Sequence, residues 1–236
     1  MEECTAIVLA AGAGKRMQSA VAKQYMLLKD KPILWYALQA FEESPIIQKV
    51  VLVVGEGEIT YCRQEIVEKY GFTKVTDVIQ GGAERYLSVW EGLKCLEPQT
   101  GNYVFIHDGA RPFVNGEIIQ NAYEAVKEFG ACVVGMPVKD TIKVTDCDGF
   151  AVQTPDRNTL WAVQTPQVFE EKLIHDAYAR LIDGLQEWKE KGLNITDDVM
   201  VLETIMKKKV KLVKGAYENI KITTPEDIII AESFLK

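Results

Sequence analysis

Short runs of β-branched and aliphatic residues alternate with helical patterns along most of this chain, and that alternation constrains the fold more than any other feature. Residues 5–9, 49–54, 75–79, 103–107 and 132–136 read as strands. Between them, residues 33–43, 59–70, 85–96 and 116–129 carry apolar side chains at helical spacing, and Gly71 supplies a stop signal. Strand–helix alternation predicts a mostly parallel sheet covered by helices on both faces, an α/β, Rossmann-like architecture. With 236 residues, a hydrophobic share of 47% and charged residues at 26%, the chain has the balance of one globular domain spanning 1–236. A core of that size needs no disulfide or structural metal.

The alternation breaks after residue 137. Residues 141–144 and 150–154 flank Asp146-Cys147-Asp148-Gly149, and Asp-Gly between β-prone runs is a hairpin signal. The expected arm, at about 138–160, has little apolar surface of its own. An isolated two-stranded hairpin is marginal in water, so it is expected to lean on a partner subunit. Helical patterns resume at 170–185 and 198–207, and residues 210–214 form a late strand. Thr224-Pro225-Glu226-Asp227 opens the last helix with a cap, a proline and first-turn acids. Thr196, before Asp197-Asp198, reads as another N-cap.

Composition excludes several classes. A net charge of −7 repels a nucleic-acid backbone, so no nucleic-acid polymer is expected as partner. The opening Met-Glu-Glu-Cys has no basic leader, and no long apolar stretch follows, so neither a signal peptide nor a membrane partner is expected. Five scattered cysteines without C-x-x-C spacing fit reduced thiols in a cytoplasmic protein. Two distant histidines give no zinc site.

The first strand runs into Leu9-Ala10-Ala11-Gly12-Ala13-Gly14-Lys15-Arg16-Met17. Small residues there let backbone N–H groups cradle phosphate oxygens at the carboxyl end of the sheet. A dinucleotide fingerprint would need glycine where Met17 stands. A P-loop would need glycine at Leu9 and Ser or Thr at Arg16. What remains is a glycine loop carrying Lys15 and Arg16, with Lys23 just beyond, cations suited to a triphosphate under attack. A plain strand-to-helix turn with solvated basic residues is the competing reading.

Further blocks extend the pattern. They are Lys23-Gln24-Tyr25, Gly81-Gly82-Ala83-Glu84-Arg85 with Ser88, and His107-Asp108-Gly109-Ala110-Arg111-Pro112. They continue with Pro137-Val138-Lys139-Asp140-Thr141, Arg157-Asn158 with Leu160-Trp161, Gln164-Thr165-Pro166-Gln167, Thr196-Asp197-Asp198 and Asn219-Ile220-Lys221-Ile222-Thr223. As an ordered set spanning nearly the whole chain, these blocks resemble the 2-C-methyl-D-erythritol 4-phosphate cytidylyltransferases of the non-mevalonate isoprenoid pathway.

The resemblance implies partners and roles. The partners would be CTP and a small polyol phosphate, with Mg²⁺ or another divalent cation held mainly by the CTP phosphates rather than by a protein metal site. Arg16 and Lys23 would stabilise the transition state, and Arg157 and Lys221 would hold the attacking phosphate. Ala10, Ala11, Gly12, Gly14, Gly82, Ala83, Ser88, Asp108 and Gly109 would surround the nucleotide. Asp108, Arg111, Thr141, Arg157, Thr165, Thr196 and Lys221 would receive the acceptor. The arm would reach across a homodimer, so that Thr141 and Arg157 complete the partner's site. The family usually has proline where this chain has Ala22, and often an acid where it has Ala83.

Blander readings attach to some of these residues. Arg85 reads as an exposed first-turn residue, Asp108 and Arg111 as a surface ion pair, the three lysines 207–209 as a solvated face, and His107 as a satisfied structural histidine. Rival functions are a ribitol-5-phosphate cytidylyltransferase making CDP-ribitol, an NAD-dependent oxidoreductase, and a non-catalytic nucleotide sensor. Asp156-Arg157-Asn158 and Asn194-Ile195-Thr196-Asp197-Asp198 look closer to the methylerythritol enzymes than to the ribitol ones.

Overall fold

The computed structural model describes residues 2–12, 22–99 and 101–235. Among the described residues a seven-stranded sheet forms the centre. Its strands are β1 (Cys4–Ala10), β4 (Lys49–Val54), β5 (Val75–Gln80), β6 (Tyr103–Asp108), β7 (Ala131–Pro137), β10 (Trp161–Glu170) and β11 (Lys211–Lys214). They lie in the order β11-β7-β10-β6-β1-β4-β5. All pairs are parallel except those of β10, which runs antiparallel to both β6 and β7. The apolar runs of β1, β4 and β6 are buried almost throughout because helices cover both faces.

One face receives α1 (Ile33–Glu43) and α4 (Gly116–Phe129), together with a helical stretch made of α2 (Ile59–Tyr61) and a π-helical turn Cys62–Glu68. The other receives α3 (Arg85–Leu93), α5 (Glu171–Asp183) and α7 (Asp198–Val201), the last continued by a π-helical turn Leu202–Met206. The helix α4 shows the local logic. Asn115 caps it by accepting the Ile118 N–H at 2.9 Å, and Ile118, Ile119, Ala122 and Val126 form its buried stripe. Gly130 ends it at φ +73°, a conformation that side-chain-bearing residues avoid.

The expected α/β class and both-face helices are present, as is a hairpin arm. The arm's strands, β8 (Val144–Thr145) and β9 (Ala151–Gln153), are shorter than the flanking runs suggested. Asp146 organises the turn by accepting the N–H groups of Asp148 and Phe150. The expectation of little apolar surface does not hold: Ile142, Val144, Phe150 and Val152 are all exposed, Phe150 by 72%. The helix expected at 170–185 is α5, followed by the separate short helix α6 (Leu185–Glu190).

Sequence reading missed β10 and the small antiparallel pair β2 (Leu27–Leu28) and β3 (Lys31–Pro32). Gln164-Thr165-Pro166-Gln167 has the look of a turn, because proline cannot donate to a ladder. The strand accommodates it at a register shift between Val163 and Gln167, where the Thr165–Pro166 peptide is cis. The last helix, α8 (Pro225–Phe234), starts as expected, with Asp227 accepting the N–H of Thr224. Thr196 is not a cap, since Asp197 does that work by accepting the Met200 N–H at 2.9 Å. Asp197 sits one residue closer to α7, which brings its carboxylate onto the third N–H of the helix.

Candidate active site

A cleft of about 390 Å³ opens at the carboxyl ends of β1 and β6. Ala10, Ala11, Gly12, Lys23, Gly82, Ala83, Ser88, Asp108 and Lys221 line it, so the structure gathers nine of the expected residues from five separate segments. Gly14 and Arg16 lie outside the described residues.

The wall at Gly82–Ser88 is built by close contact. A Cβ on Gly82 would come within 2.5 Å of Leu87 Cβ, so only glycine lets this turn fold against the first turn of α3. The Ser88 hydroxyl accepts the Gly82 N–H at 3.1 Å and lies within 3.2 Å of the Glu84 carbonyl, bracing the turn from inside. Gly109 packs beneath the floor. Its N–H donates to the Leu9 carbonyl at 2.9 Å, and a Cβ there would meet Leu34 Cδ1 at 2.8 Å.

Lys23 enters on a 3₁₀ turn, Lys23–Tyr25, that is pinned at two points. The Gln24 amide donates to the Ala10 carbonyl at 2.6 Å, and the Tyr25 hydroxyl donates to Glu58 at 2.7 Å. Ala22, at the start of this turn, has φ −60° and ψ 136°, values that a proline also adopts.

The floor is a charge cluster around Asp108. Its Oδ2 lies 2.8 Å from Lys221 Nζ and 3.7 Å from Arg111 Nε, and its Oδ1 lies 3.4 Å from Arg85 Nε. Burial by itself would raise the Asp108 pKa, but Arg85, Lys221 and Arg111 together hold the carboxyl far below the usual range. Only 11% of its side chain is exposed, so the picture of a solvated surface pair with Arg111 fails. Burial pushes the Arg111 pKa down, with Asp108 opposing the shift, and its guanidinium donates to the Asn219 carbonyl at 2.8 Å.

Arg85 is likewise not an exposed first-turn residue. Its two terminal nitrogens each lie 2.8 Å from the two oxygens of Asp198, a bidentate pair whose carboxylate is wholly buried. Burial alone would lower its pKa, and Asp198 with Asp108 more than offsets that, holding it above the ordinary value. Sequence reasoning missed this role because the partners are 113 residues apart. The adjacent acids Asp197-Asp198 were the available signal, with one used as a cap and the other turned inward.

His107 is the structural histidine expected. It is fully buried, its Nε2 lies 3.1 Å from the Arg111 carbonyl and its Nδ1 lies 3.0 Å from Thr165 Oγ1. A carbonyl only accepts, so Nε2 carries the proton and Nδ1 accepts the Thr165 hydroxyl proton. Thr165 Oγ1 in turn accepts the Asp108 N–H at 3.1 Å. Burial lowers the His107 pKa to about 4, keeping the ring neutral in this chain of bonds. Thr165 therefore supports Asp108 from behind and does not line the cleft.

The remaining acceptor-side residues are elsewhere. Thr196 is exposed, with its hydroxyl toward Met200. Thr141 and Arg157 are exposed on the arm, and Arg157 donates to the Lys139 carbonyl at 3.2 Å. Neither lines the cleft of its own chain.

The donor set fits a divalent cation carried by phosphate oxygens. The carboxylates lining the cleft are Glu84 and Asp108, and both oxygens of Asp108 already face cations. Magnesium commonly binds through one or two carboxylates plus substrate phosphates and water, so a protein cage is not required.

Comparison with known proteins agrees with this geometry. A sequence profile of the 2-C-methyl-D-erythritol 4-phosphate cytidylyltransferase family matches residues 4–236. A protein of that name from Lachnoclostridium phytofermentans is 50% identical over 236 residues, covering 100% of this chain and 97% of its own length. Another from Lachnospira eligens is 51% identical, covering 98% of this chain and 99% of its own length. Among solved structures, the 4-diphosphocytidyl-2C-methyl-D-erythritol synthase of Anaerococcus prevotii superimposes with a TM-score of 0.83 at 34% identity, over 99% of this chain and 96% of that one. The cytidylyltransferase of Francisella tularensis gives 0.80 at 27% identity, over 98% and 99%.

Proposed function

The chain belongs to the 2-C-methyl-D-erythritol 4-phosphate cytidylyltransferase family and is a CTP-dependent nucleotidyltransferase of isoprenoid precursor synthesis, and we propose that it works through the residues assembled above. The reaction transfers CMP from CTP to 2-C-methyl-D-erythritol 4-phosphate. A phosphate oxygen of the acceptor bonds to the α-phosphorus, the bond from that phosphorus to the bridging oxygen breaks, and pyrophosphate departs. The nucleophile is already an anion, so positioning and charge stabilisation carry most of the catalysis.

The observation that carries the residue assignment is the cleft itself, which brings Ala10, Ala11, Gly12, Lys23 and Lys221 around one space. Gly82, Ala83 and Ser88 receive the cytosine, whose edge is read by the backbone and hydroxyl groups of that braced turn. Lys23, with Arg16, faces the triphosphate and meets the negative charge that grows during transfer. Asp108 takes hydroxyls of the ribose or the acceptor. Lys221 and Arg157 hold the acceptor phosphate, Arg157 by its planar fork. A divalent cation, when bound with CTP, neutralises the departing pyrophosphate.

The exposed apolar arm supports a homodimer in which Thr141 and Arg157 reach the partner's cleft. Four exposed hydrophobic side chains on one short hairpin are a surface in need of a cover. Among the described residues no helix is long and apolar enough to cross a membrane, and we read the site of action as cytoplasmic.

The test is pyrophosphate release by the purified protein with CTP and Mg²⁺, comparing 2-C-methyl-D-erythritol 4-phosphate with D-ribitol 5-phosphate. Release with the first and not the second is expected. Release with ribitol 5-phosphate alone would overturn the acceptor assignment while leaving the chemistry intact.

A further inference from the structure

The charges at the cleft floor do not balance, and three of the groups, Arg85, Asp108 and Lys221, line the cleft itself. Asp108 and Asp198 bring two negative charges, while Arg85, Arg111 and Lys221 bring three positive ones. The side chains of Asp108, Asp198 and Arg111 are at least 88% buried, as their exposures of 11%, 0% and 12% show. Bulk water and salt therefore screen these three groups weakly and Arg85 and Lys221, 27% and 36% exposed, more strongly.

Arg85 is held more firmly than any other cation in the group. Asp198 grips it bidentately, the Tyr178 hydroxyl donates to Asp198 Oδ1 at 2.6 Å, and Gln167 accepts the Asp198 and Val199 N–H groups at 3.0 Å each. From that fixed position Arg85 Nε faces Asp108 Oδ1, on the opposite side of the carboxylate from Lys221. With Arg85 on Oδ1, Asp108 is paired at both oxygens and the Lys221 charge stays available to a ligand, although Arg85 itself also borders the cleft. Without it, Oδ1 would lose its cation and Asp108 would draw on Lys221 and the more distant Arg111.

We infer that Arg85 is a positioning residue for the transfer reaction: held by Asp198 and Tyr178, it satisfies Asp108 so that Lys221 can bind the acceptor phosphate. The inference rests on the reading above that Lys221 faces that phosphate. It goes beyond that reading because Arg85 acts through Asp108 and Lys221, and because it assigns a purpose to the buried Asp198 and Tyr178.

The charge count gives a test that a merely structural role would fail. Arg85→Gln removes one positive charge and leaves the cluster neutral. Arg85→Gln combined with Asp198→Asn removes one charge of each sign and restores the original excess. In steady-state pyrophosphate release, Arg85→Gln should raise KM for 2-C-methyl-D-erythritol 4-phosphate about tenfold and leave KM for CTP within about threefold. The double variant relieves the unpaired buried Asp198 but still leaves Asp108 Oδ1 without Arg85, so its acceptor KM should stay raised about tenfold. A double variant back within about threefold of the parent protein, or an equal rise in both KM values, overturns the inference. Should Arg85→Gln fail to fold, Arg85→Lys replaces it. The charge is kept there, so an acceptor KM within about threefold of the parent supports the proposal and a tenfold rise overturns it. Lys221→Met runs alongside: an unchanged acceptor KM in that variant would remove the phosphate assignment itself, a failure distinct from that of the Arg85 variants.

Discussion

The cleft floor and the hairpin arm hold their residues by opposite means. On the floor, Asp108 is fixed by three cations, by Thr165 behind its N–H, and by His107 behind Thr165. On the arm, Arg157 makes one hydrogen bond to the nearby Lys139 carbonyl, and the apolar side chains around it face outward. The floor is preorganised by this chain's own core, while the arm is held by local hydrogen bonds within itself, such as those of Asp146 and of Lys143 to Thr154. Rigid placement suits groups that must stabilise charge at the moment of transfer, and a loosely held arm suits an element that another surface completes.

The largest effect should come from the cleft. Lys23→Ala is expected to lower kcat by roughly 10²–10³ while KM for CTP changes little, the pattern of an interaction made mainly in the transition state. Steady-state kinetics decide it, and unchanged turnover would take Lys23 out of catalysis.

The floor should also carry a pH signature that the arm lacks. The His107 pKa falls from 6.5 in the unfolded chain to about 4 in the fold, so only the unfolded chain takes up a proton in between. Its contribution is complete above pH 6.5 and is lost as pH falls from there through about 4. By pH 5 the loss should be about 2 kcal/mol. The contribution of Asp108, whose pKa is depressed, holds above its ordinary 3.8 and fails only in stronger acid, so the two windows separate. Urea unfolding at pH 7.5 and pH 5 checks this. His107→Gln should flatten the difference, whereas Phe150→Asp on the arm should leave it intact.

On the arm, Arg157→Ala should raise the acceptor KM about tenfold with CTP binding retained. Mixing it with Lys23→Ala sharpens the comparison. If each arm serves the partner's cleft, random hybrid dimers contain one intact site, and about a quarter of the parent activity should return. No recovery on mixing, in subunits shown to exchange, would mean that the arm serves its own chain.

The smallest effect is expected at Ala22. Its backbone already has φ −60°, so Ala22→Pro should lower the freedom of the Lys23 turn without displacing it. The gain should be about 0.5 kcal/mol, seen as a KM for CTP lowered about twofold. A raised KM would show that the turn must bend further when CTP binds.

Much of the fold was legible because local patterns and tertiary structure agree. The β-branched runs at β1, β4 and β6 could be satisfied only by burial on both faces, and α4 announces both of its ends through Asn115 and Gly130. What escaped reading was decided at a distance. The strand β10 is concealed by a proline that a central strand ordinarily excludes. The burial of Arg85 depends on an aspartate from another helix. In the site, nine of the expected residues line one cleft, and their ordered blocks had pointed to them. Thr165 lies buried behind Asp108 and Thr196 is exposed with its hydroxyl toward Met200, directions that cannot be taken from their neighbours in sequence.

The position of β10 has a consequence for the order in which this protein can be made. It lies between β6 and β7 yet follows both in the chain. Until residue 170 has left the ribosome, those two strands have no common neighbour, and each offers an unpaired edge of backbone donors and acceptors. A nascent chain halted at the arm would hold β6 with one edge open and β7 with both edges open, since β10 and β11, the strands that pair with β7, come later. Completion of the sheet is thus a late event in synthesis: an antiparallel strand entering from the side of the arm joins β6 to β7, and β11 then covers the other edge of β7.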